Sequence, residues 1–360
     1  MPDVRIGIIG TGMMGCEHIR NFLTVDGAVV TAVCDPNDEP LSWARMTMGD
    51  GAGRVAEFRD HRDLLSSGTV DAVVVASPNF THRALLDDIL ATDIPVLVEK
   101  PMCTTVQDCA AVVQAQSSRS AITWVGLEYR YMAPIAALLG ALRDGAVGDL
   151  RMLSIREHRF PFLKKVGDWN RFSRNTGGTL VEKCCHFFDL MNLAVGASPV
   201  RVMASGGQDV NHLDEWYEGE RSDILDNAFV IVDYANGVRS MLDLSMFAEG
   251  SRNEQEIVAV GTTGKLEAEI PGDGRIWLGD RATRTVEELP VRADPSVGHT
   301  GFHFGASWVE CARFVDAVRN GTQPEVTVND GLWSVVVGAA AHMSIEQGRV
   351  VEIAEFGLGS

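Results

Sequence analysis

The chain has 360 residues, 46% hydrophobic and 22% charged, which suits two folded domains and excludes dominant disorder. Its formal net charge of −18 repels phosphate backbones and anionic bilayers, so neither nucleic acid nor membrane is an expected partner. No apolar run reaches the roughly 20 residues that span a bilayer, the N-terminus enters a strand without a cleavable signal pattern, and the 7 cysteines include no metal-like CxxC pair, so a cytoplasmic protein with reduced thiols is expected.

Val4–Ile9 reads as a buried strand, followed by a helix from Met14 to Leu23. Further strands are expected over Val29–Cys34, Val70–Ala76, Val96–Val98 and Ile122–Val125, with helices over Arg83–Leu90 and Cys109–Gln116. Continuous β-branched runs alternating with helices imply a parallel sheet covered on both faces, the doubly wound α/β class. The pattern changes after Gly126, giving an expected boundary between domains 1–126 and 127–360. A helix is expected over Pro134–Asp144, a strand over Leu150–His158, and a helix with a glycine-rich entry over Gly177–Val195. Strands follow over Val200–Ser205, Asn227–Tyr234, Val238–Met246, Glu256–Gly261, Lys265–Ile270 and Arg275–Leu278. Asn236-Gly237 marks a hairpin turn, and Gly261–Gly264 a second candidate. This succession predicts an α+β domain with a large open mixed or antiparallel sheet. His212–Asp226 reads as an acidic surface loop, and the tail returns to helix over Ser307–Asn320 and Leu332–Gln347.

Gly10-Thr11-Gly12-Met13-Met14-Gly15 lies between the first strand and first helix. In that setting, glycines at this spacing permit a tight turn, close approach of backbone to a pyrophosphate, and helix–strand contact. Asp35 ends the second strand about 20 residues later, where a carboxylate accepts from ribose hydroxyls and repels a 2′-phosphate. The expected cofactor is NAD, with NADP disfavoured.

With Glu99-Lys100-Pro101 directly after a strand, the chain resembles, over nearly its whole length, the Gfo/Idh/MocA oxidoreductases, the family of glucose–fructose oxidoreductase and inositol dehydrogenase. Ser77-Pro78-Asn79 with His82 resembles the family's second cofactor-contacting loop. Glu128-Tyr129-Arg130-Tyr131 resembles the segment leading into its second domain. Trp169-Asn170-Arg171, Gly177-Gly178, and Glu182 with His186 follow in the family's order. The resemblance implies hydride transfer between a nicotinamide and a carbinol carbon of a sugar or cyclitol, in a homodimer or homotetramer. It implies Lys100, His186 and Glu182 as catalytic residues, and Tyr129, Trp169 and Arg171 beside them at the substrate. Gly10 to Gly15, Asp35, Ser77, Pro78, Asn79, His82, Glu99, Lys100 and Arg130 are the implied cofactor residues. Three positions depart from the family's pattern: Glu182 stands where aspartate is usual, Cys184 where a glycine is common, and Thr179 where a third glycine is common.

The chemistry fits these residue types. Oxidising a secondary alcohol sends a hydride to the cofactor and a proton to a base. An ammonium just past a parallel strand is placed to stabilise charge on the reacting oxygen, and Pro101 holds Lys100 to extended backbone. A neutral imidazole suits His186 to proton transfer near pH 7. Glu182, His186 and Asp189 are spaced to share one face of a continuous helix, with Asp189 a plain polar position. His299 and His303 lack a third ligand, so no metal is expected. Trp308 and Trp333 read as core or interface positions. Two alternatives share the motifs: a redox-neutral glycosidase that uses NAD transiently, and a non-catalytic NAD- or sugar-sensing regulator, against which the presence of both Lys100 and His186 counts.

Overall fold

The computed structural model describes residues 2–270 and 274–358. The chain forms two compact units, Met1–Tyr131 with Asp294–Leu332, and Met132–Ala293 with Trp333–Ser360.

In the first unit the order is β1 (Val4–Ile9), α1 (Met13–Phe22), β2 (Ala28–Cys34), α2 (Asp38–Met48), β3 (Ala56–Phe58), α3 (His61–Ser66), β4 (Ala72–Val75), α4 (His82–Leu90), β5 (Val96–Glu99), α5 (Val106–Gln116) and β6 (Thr123–Gly126). The six strands form one parallel sheet, β3-β2-β1-β4-β5-β6. The strand order reverses direction between β1 and β4, where open α/β sheets hold ligands outside their carboxyl ends. All four residues of β4 and all four of β5 are buried, as expected of central strands covered on both faces. α2, β3 and α3 fill a stretch in which the sequence pattern marks no element: α2 buries only Pro40, Leu41, Ala44 and Met48, and β3 has three residues.

The second unit contains α6 (Ala133–Arg143), β7 (Leu150–His158), α7 (Ser173–Thr176), α8 (Thr179–Glu182), α9 (Cys185–Val195), β8 (Pro199–Gly207), β9 (Trp216–Tyr217), β10 (Glu220–Arg221), β11 (Asn227–Tyr234), β12 (Arg239–Ser245), β13 (Gln255–Gly261), β14 (Gly264–Ile270), β15 (Ile276–Asp280) and β16 (Val286–Leu289). After α10 (Ala306–Asn320), α11 (Val328–Gln347) leads back to β17 (Val351–Glu352). Nine strands form a mixed sheet, β16-β15-β14-β13-β7-β12-β11-β8-β17, parallel only between β12 and β7. Alternation gives it one buried face, with Leu153 and Ile155 on β7, Val230 and Val232 on β11, and Leu242 and Leu244 on β12. The other face carries exposed Met203, Ile231 and Met241, which are direct cross-strand neighbours, with Met152 and Phe229 nearby.

Two expectations change. The sequence places residues after 126 in the second domain, but residues 294–332 group with the first unit. The buried side of α10 finds its partners there: Trp308 donates its indole N–H to Thr24 Oγ1 at 2.9 Å, and Phe314 packs edge-on against Trp124. A local periodicity does not say which sheet a helix returns to. The expected continuous helix over Gly177–Val195 is broken, with Glu182 closing α8 and Cys185 opening α9.

Candidate functional site

The glycine turn connects β1 to α1. Gly10 has φ +89°, and a Cβ there would meet the backbone of Ala76 and Ser77 at 2.6–2.7 Å, so the turn passes the start of the loop after β4 in contact that excludes a side chain. Gly12 caps α1 with no side-chain hydrogen bond, no acidic residue occupies the first turn, and open space surrounds its Cβ position. The first N–H groups of a ten-residue helix and its positive dipole end are thus left for an anion. Thr11 Oγ1 and Asn79 Nδ2 are buried polar atoms with no hydrogen-bond partner among the described residues. Both belong to the expected cofactor set, and a dinucleotide would satisfy them; the residues present fit that group. Asp35, at the end of β2, accepts the Thr11 N–H at 3.0 Å and the Asn37 N–H at 2.9 Å. Its carboxylate keeps lone pairs for ribose hydroxyls.

The loops after β4 and β5 lie at the same sheet edge. His82, expected to contact the cofactor, is fully buried, and its ring nitrogens face the Ser77 carbonyl at 3.0 Å and the Pro101 carbonyl at 2.9 Å. It is therefore a brace between the two loops. Burial holds its pKa below the usual imidazole value, although the carbonyls oppose this. Glu99 ends β5 as a buried carboxylate between His18 Nε2 at 2.7 Å and the Lys100 N–H at 3.2 Å. Burial alone would push its carboxyl up, but the hydrogen bond and charge of His18, then the charges of Lys100 and His303, bring it down to about 2. Lys100 itself is half-buried.

Glu128 and Tyr129 are buried, and Arg130 reaches Asp330 at 3.0 Å and the Glu325 carbonyl at 3.2 Å. His303, which the sequence pairs with His299, instead faces Glu128 at 3.1 Å, while His299 faces Glu17 at 3.3 Å. Among the described residues no cluster could hold a metal ion.

In the second unit, Gly178 has φ +84° and precedes α8, whose Leu180 N–H donates to His342 Nε2 at 3.1 Å. Thr179, where the family pattern has glycine, donates its hydroxyl to the Leu225 carbonyl at 2.6 Å. Glu182 and His186 are both buried, but they sit on two helices across the Lys183–Cys184 turn, so the expected single helical face is corrected. Lys183, which the sequence did not single out, is buried 2.9 Å from Glu157 on β7. Its signal was legible: Glu157 follows Leu153 and Ile155 on the inward phase of β7, a charged residue at a core position. Burial pulls the Lys183 ammonium down from its ordinary pKa, and Glu157 opposes this.

Arg171 is buried, with Nε 3.0 Å from Glu215 and Nη2 3.2 Å from the Phe162 carbonyl. Glu215 also accepts from Tyr217 and faces His212 at 3.0 Å. Trp169 lies nearby in sequence and accepts, through its carbonyl, the Asn175 side-chain N–H at 2.9 Å. The stretch read as an acidic surface loop is thus tied down. Asp226 accepts the N–H groups of Asp209, Val210 and Asn211, Ser173 N–H donates to Asp223 at 2.6 Å, and β9 and β10 pair as a short ribbon. Glu215, Glu220 and Asp223 meet donors of the segment leading to α8, and Asp226 meets those just after β8.

Known proteins match both units. The family described as "Oxidoreductase family, NAD-binding Rossmann fold" matches residues 4–127, and its "C-terminal alpha/beta domain" matches residues 140–353. The chain is 26% identical to myo-inositol 2-dehydrogenase of Thermotoga maritima, over 98% of this chain and 99% of that protein. It is 30% identical to inositol 2-dehydrogenase of Arthrobacter sp. (strain FB24), over 91% and 89%. An Agrobacterium radiobacter oxidoreductase, solved with NAD+, L-tartaric acid and magnesium, shares the fold with a TM-score of 0.82 at 20% identity, over 98% of this chain and 99% of that one. With a glycine turn, an uncapped helix and orphaned polar atoms fitted to a dinucleotide, and family matches over nearly the whole chain, this protein belongs to the Gfo/Idh/MocA oxidoreductases and carries their NAD-binding Rossmann domain.

Proposed function

We propose that the protein is a dehydrogenase that prefers NAD to NADP and acts on a secondary hydroxyl of a sugar, sugar derivative or cyclitol. The observation that carries this reading is the common sheet edge where the glycine turn after β1, Ser77 after β4 and Lys100 after β5 converge, with Asp35 closing β2. Gly10 to Gly15 hold the pyrophosphate, Asp35 takes the adenosine ribose, and Ser77, Pro78, Asn79, Glu99, Lys100 and Arg130 line the remainder of the cofactor site. Bound NAD supplies the hydride acceptor. Lys100 hydrogen-bonds the reacting oxygen and stabilises the negative charge that grows there as its proton leaves. His186 takes that proton, and Glu182 binds a neighbouring hydroxyl. Tyr129, Trp169 and Arg171 shape the substrate's surroundings. The homologous inositol dehydrogenases support a cyclitol or sugar substrate, and Glu182, one methylene longer than the usual aspartate, adjusts which hydroxyl is presented.

The exposed apolar face of the nine-stranded sheet supports a homodimer or homotetramer. Among the described residues no helix is long and apolar enough to cross a membrane, and all seven cysteines are buried thiols, which supports the cytoplasm as the working compartment.

The test is a screen of inositols, aldoses, glycosides and anhydrosugars with NAD and NADP in parallel, followed by Lys100→Ala and His186→Ala. Each variant is expected to abolish turnover while leaving NAD binding largely intact. Undiminished turnover in both variants sinks the assignment.

A further inference from the structure

We propose that His18 is a positioning residue for Lys100, acting through Glu99. His18 stands on α1, the helix that opens at the phosphate-binding turn, and its side chain is fully buried. Its Nε2 lies 2.7 Å from Glu99 Oε1, and the other oxygen of the same carboxylate accepts the Lys100 backbone N–H at 3.2 Å. A carboxylate only accepts, so Nε2 must carry a hydrogen. Nδ1 faces Cys311 Sγ on α10 at 3.4 Å. That contact holds the ring in the orientation that points Nε2 at Glu99. The four groups form one chain, Cys311 Sγ to His18 to Glu99 to the Lys100 N–H, drawn from three elements. Phe22 stacks on the imidazole and holds its plane.

This arrangement pins the backbone from which the Lys100 side chain departs, and it sets a fixed negative charge behind that side chain. Removing the imidazole takes the donor from Oε1 of the buried carboxylate and leaves the Lys100 N–H on Oε2, so the carboxylate protonates or turns toward another cation, Lys100 among them. Either response alters where the ammonium sits. The inference rests on the reading above that Lys100 touches the reacting oxygen.

The experiment compares His18→Leu with His18→Gln, whose amide nitrogen reaches the Nε2 position and keeps the donor to Glu99. Two readouts are taken: the rate of trace acetylation of Lys100 in the cofactor-free protein, by mass spectrometry, and kcat and the NAD dissociation constant. His18→Leu should change Lys100 acetylation by at least ~3-fold and lower kcat by ~10- to 100-fold, with NAD affinity within ~3-fold. His18→Gln should stay near wild type in all three. The proposal is overturned if His18→Leu leaves acetylation and kcat unchanged, if NAD affinity falls in parallel with kcat as damage to α1 would cause, or if His18→Gln behaves like His18→Leu. If His18→Leu does not fold, Glu99→Gln is measured in the same way, and unchanged acetylation and kcat overturn the proposal. A wild-type protein that oxidises no polyol, with acetylation still responding to His18→Leu, removes the dehydrogenase reading and leaves the positioning role standing.

Discussion

The Lys183 ammonium lies 2.9 Å from the Glu157 carboxylate, and both side chains are nearly fully buried between the helix segment that carries His186 and the sheet. Gln255 at 3.4 Å and Arg159 at 3.5 Å add further donors to the same carboxylate. A buried pair of this kind is costly to break from one side, because the remaining charge stays desolvated. Lys183→Met should destabilise the fold by about 3–5 kcal/mol in urea unfolding, whereas Lys183→Met with Glu157→Met should recover most of that loss. A double variant as unstable as the single one would assign the effect to packing.

His342 ties stability to pH. Burial lowers its pKa to about 4, against the raising effect of the Gly178 backbone, while in the unfolded chain the imidazole titrates near its ordinary 6.5. Between those values the unfolded state binds the extra proton. The stability held by the neutral ring is therefore complete above pH 6.5 and declines as pH falls toward 4, by about 3 kcal/mol at most. Chemical denaturation from pH 7 to 4 should show this loss, and His342→Gln, which keeps an acceptor for the Leu180 N–H, should flatten that part of the profile.

Two glycines of the phosphate turn should separate folding from binding. Gly12→Ala meets open space in the protein, so it should cost less than about 1 kcal/mol of stability. It should weaken NAD binding by ~10-fold or more, because the methyl occupies the anion's approach. Gly10→Ala drives a Cβ into the Ala76 and Ser77 backbone at positive φ and should lower the melting temperature as well. Calorimetry with and without NAD distinguishes the two.

Asp35 should set the choice of nucleotide. Asp35→Ser retains an acceptor for the N–H groups of Thr11 and Asn37 but removes the charge that opposes a 2′-phosphate. The ratio of NADP to NAD affinity should rise by ~10-fold or more, since like-charge juxtaposition costs several kcal/mol. An unchanged ratio would place nucleotide discrimination elsewhere.

Ile231 sits directly between Met203 and Met241 on the exposed sheet face. Ile231→Lys puts a charge at the centre of that apolar row without entering the core. Sedimentation should show dissociation to smaller species if the face assembles copies of the chain, with the helical signal preserved. An oligomer unaffected by Ile231→Lys would move the interface off this face.

The sequence by itself determined the longer strands of both sheets and the turn after β1, but not β3, β9, β10, β16 or β17. Valine-rich runs and the Gly10–Gly15 spacing are local signals, so β1, β4 and the turn after β1 are legible from neighbours alone. The same holds for the hairpin at Asn236-Gly237, whose strands pair as the turn predicts. Tertiary structure decided what no local window contains. It broke the expected helix between Glu182 and Cys185, turned His82 from a ligand contact into a brace, and brought α10 back to α1 from nearly 300 residues away in sequence. It also brought together His18 with Glu99 and Lys183 with Glu157. Those pairings arise because buried charges must find partners wherever the fold places them, and the distance that satisfies them is one of space and not of sequence.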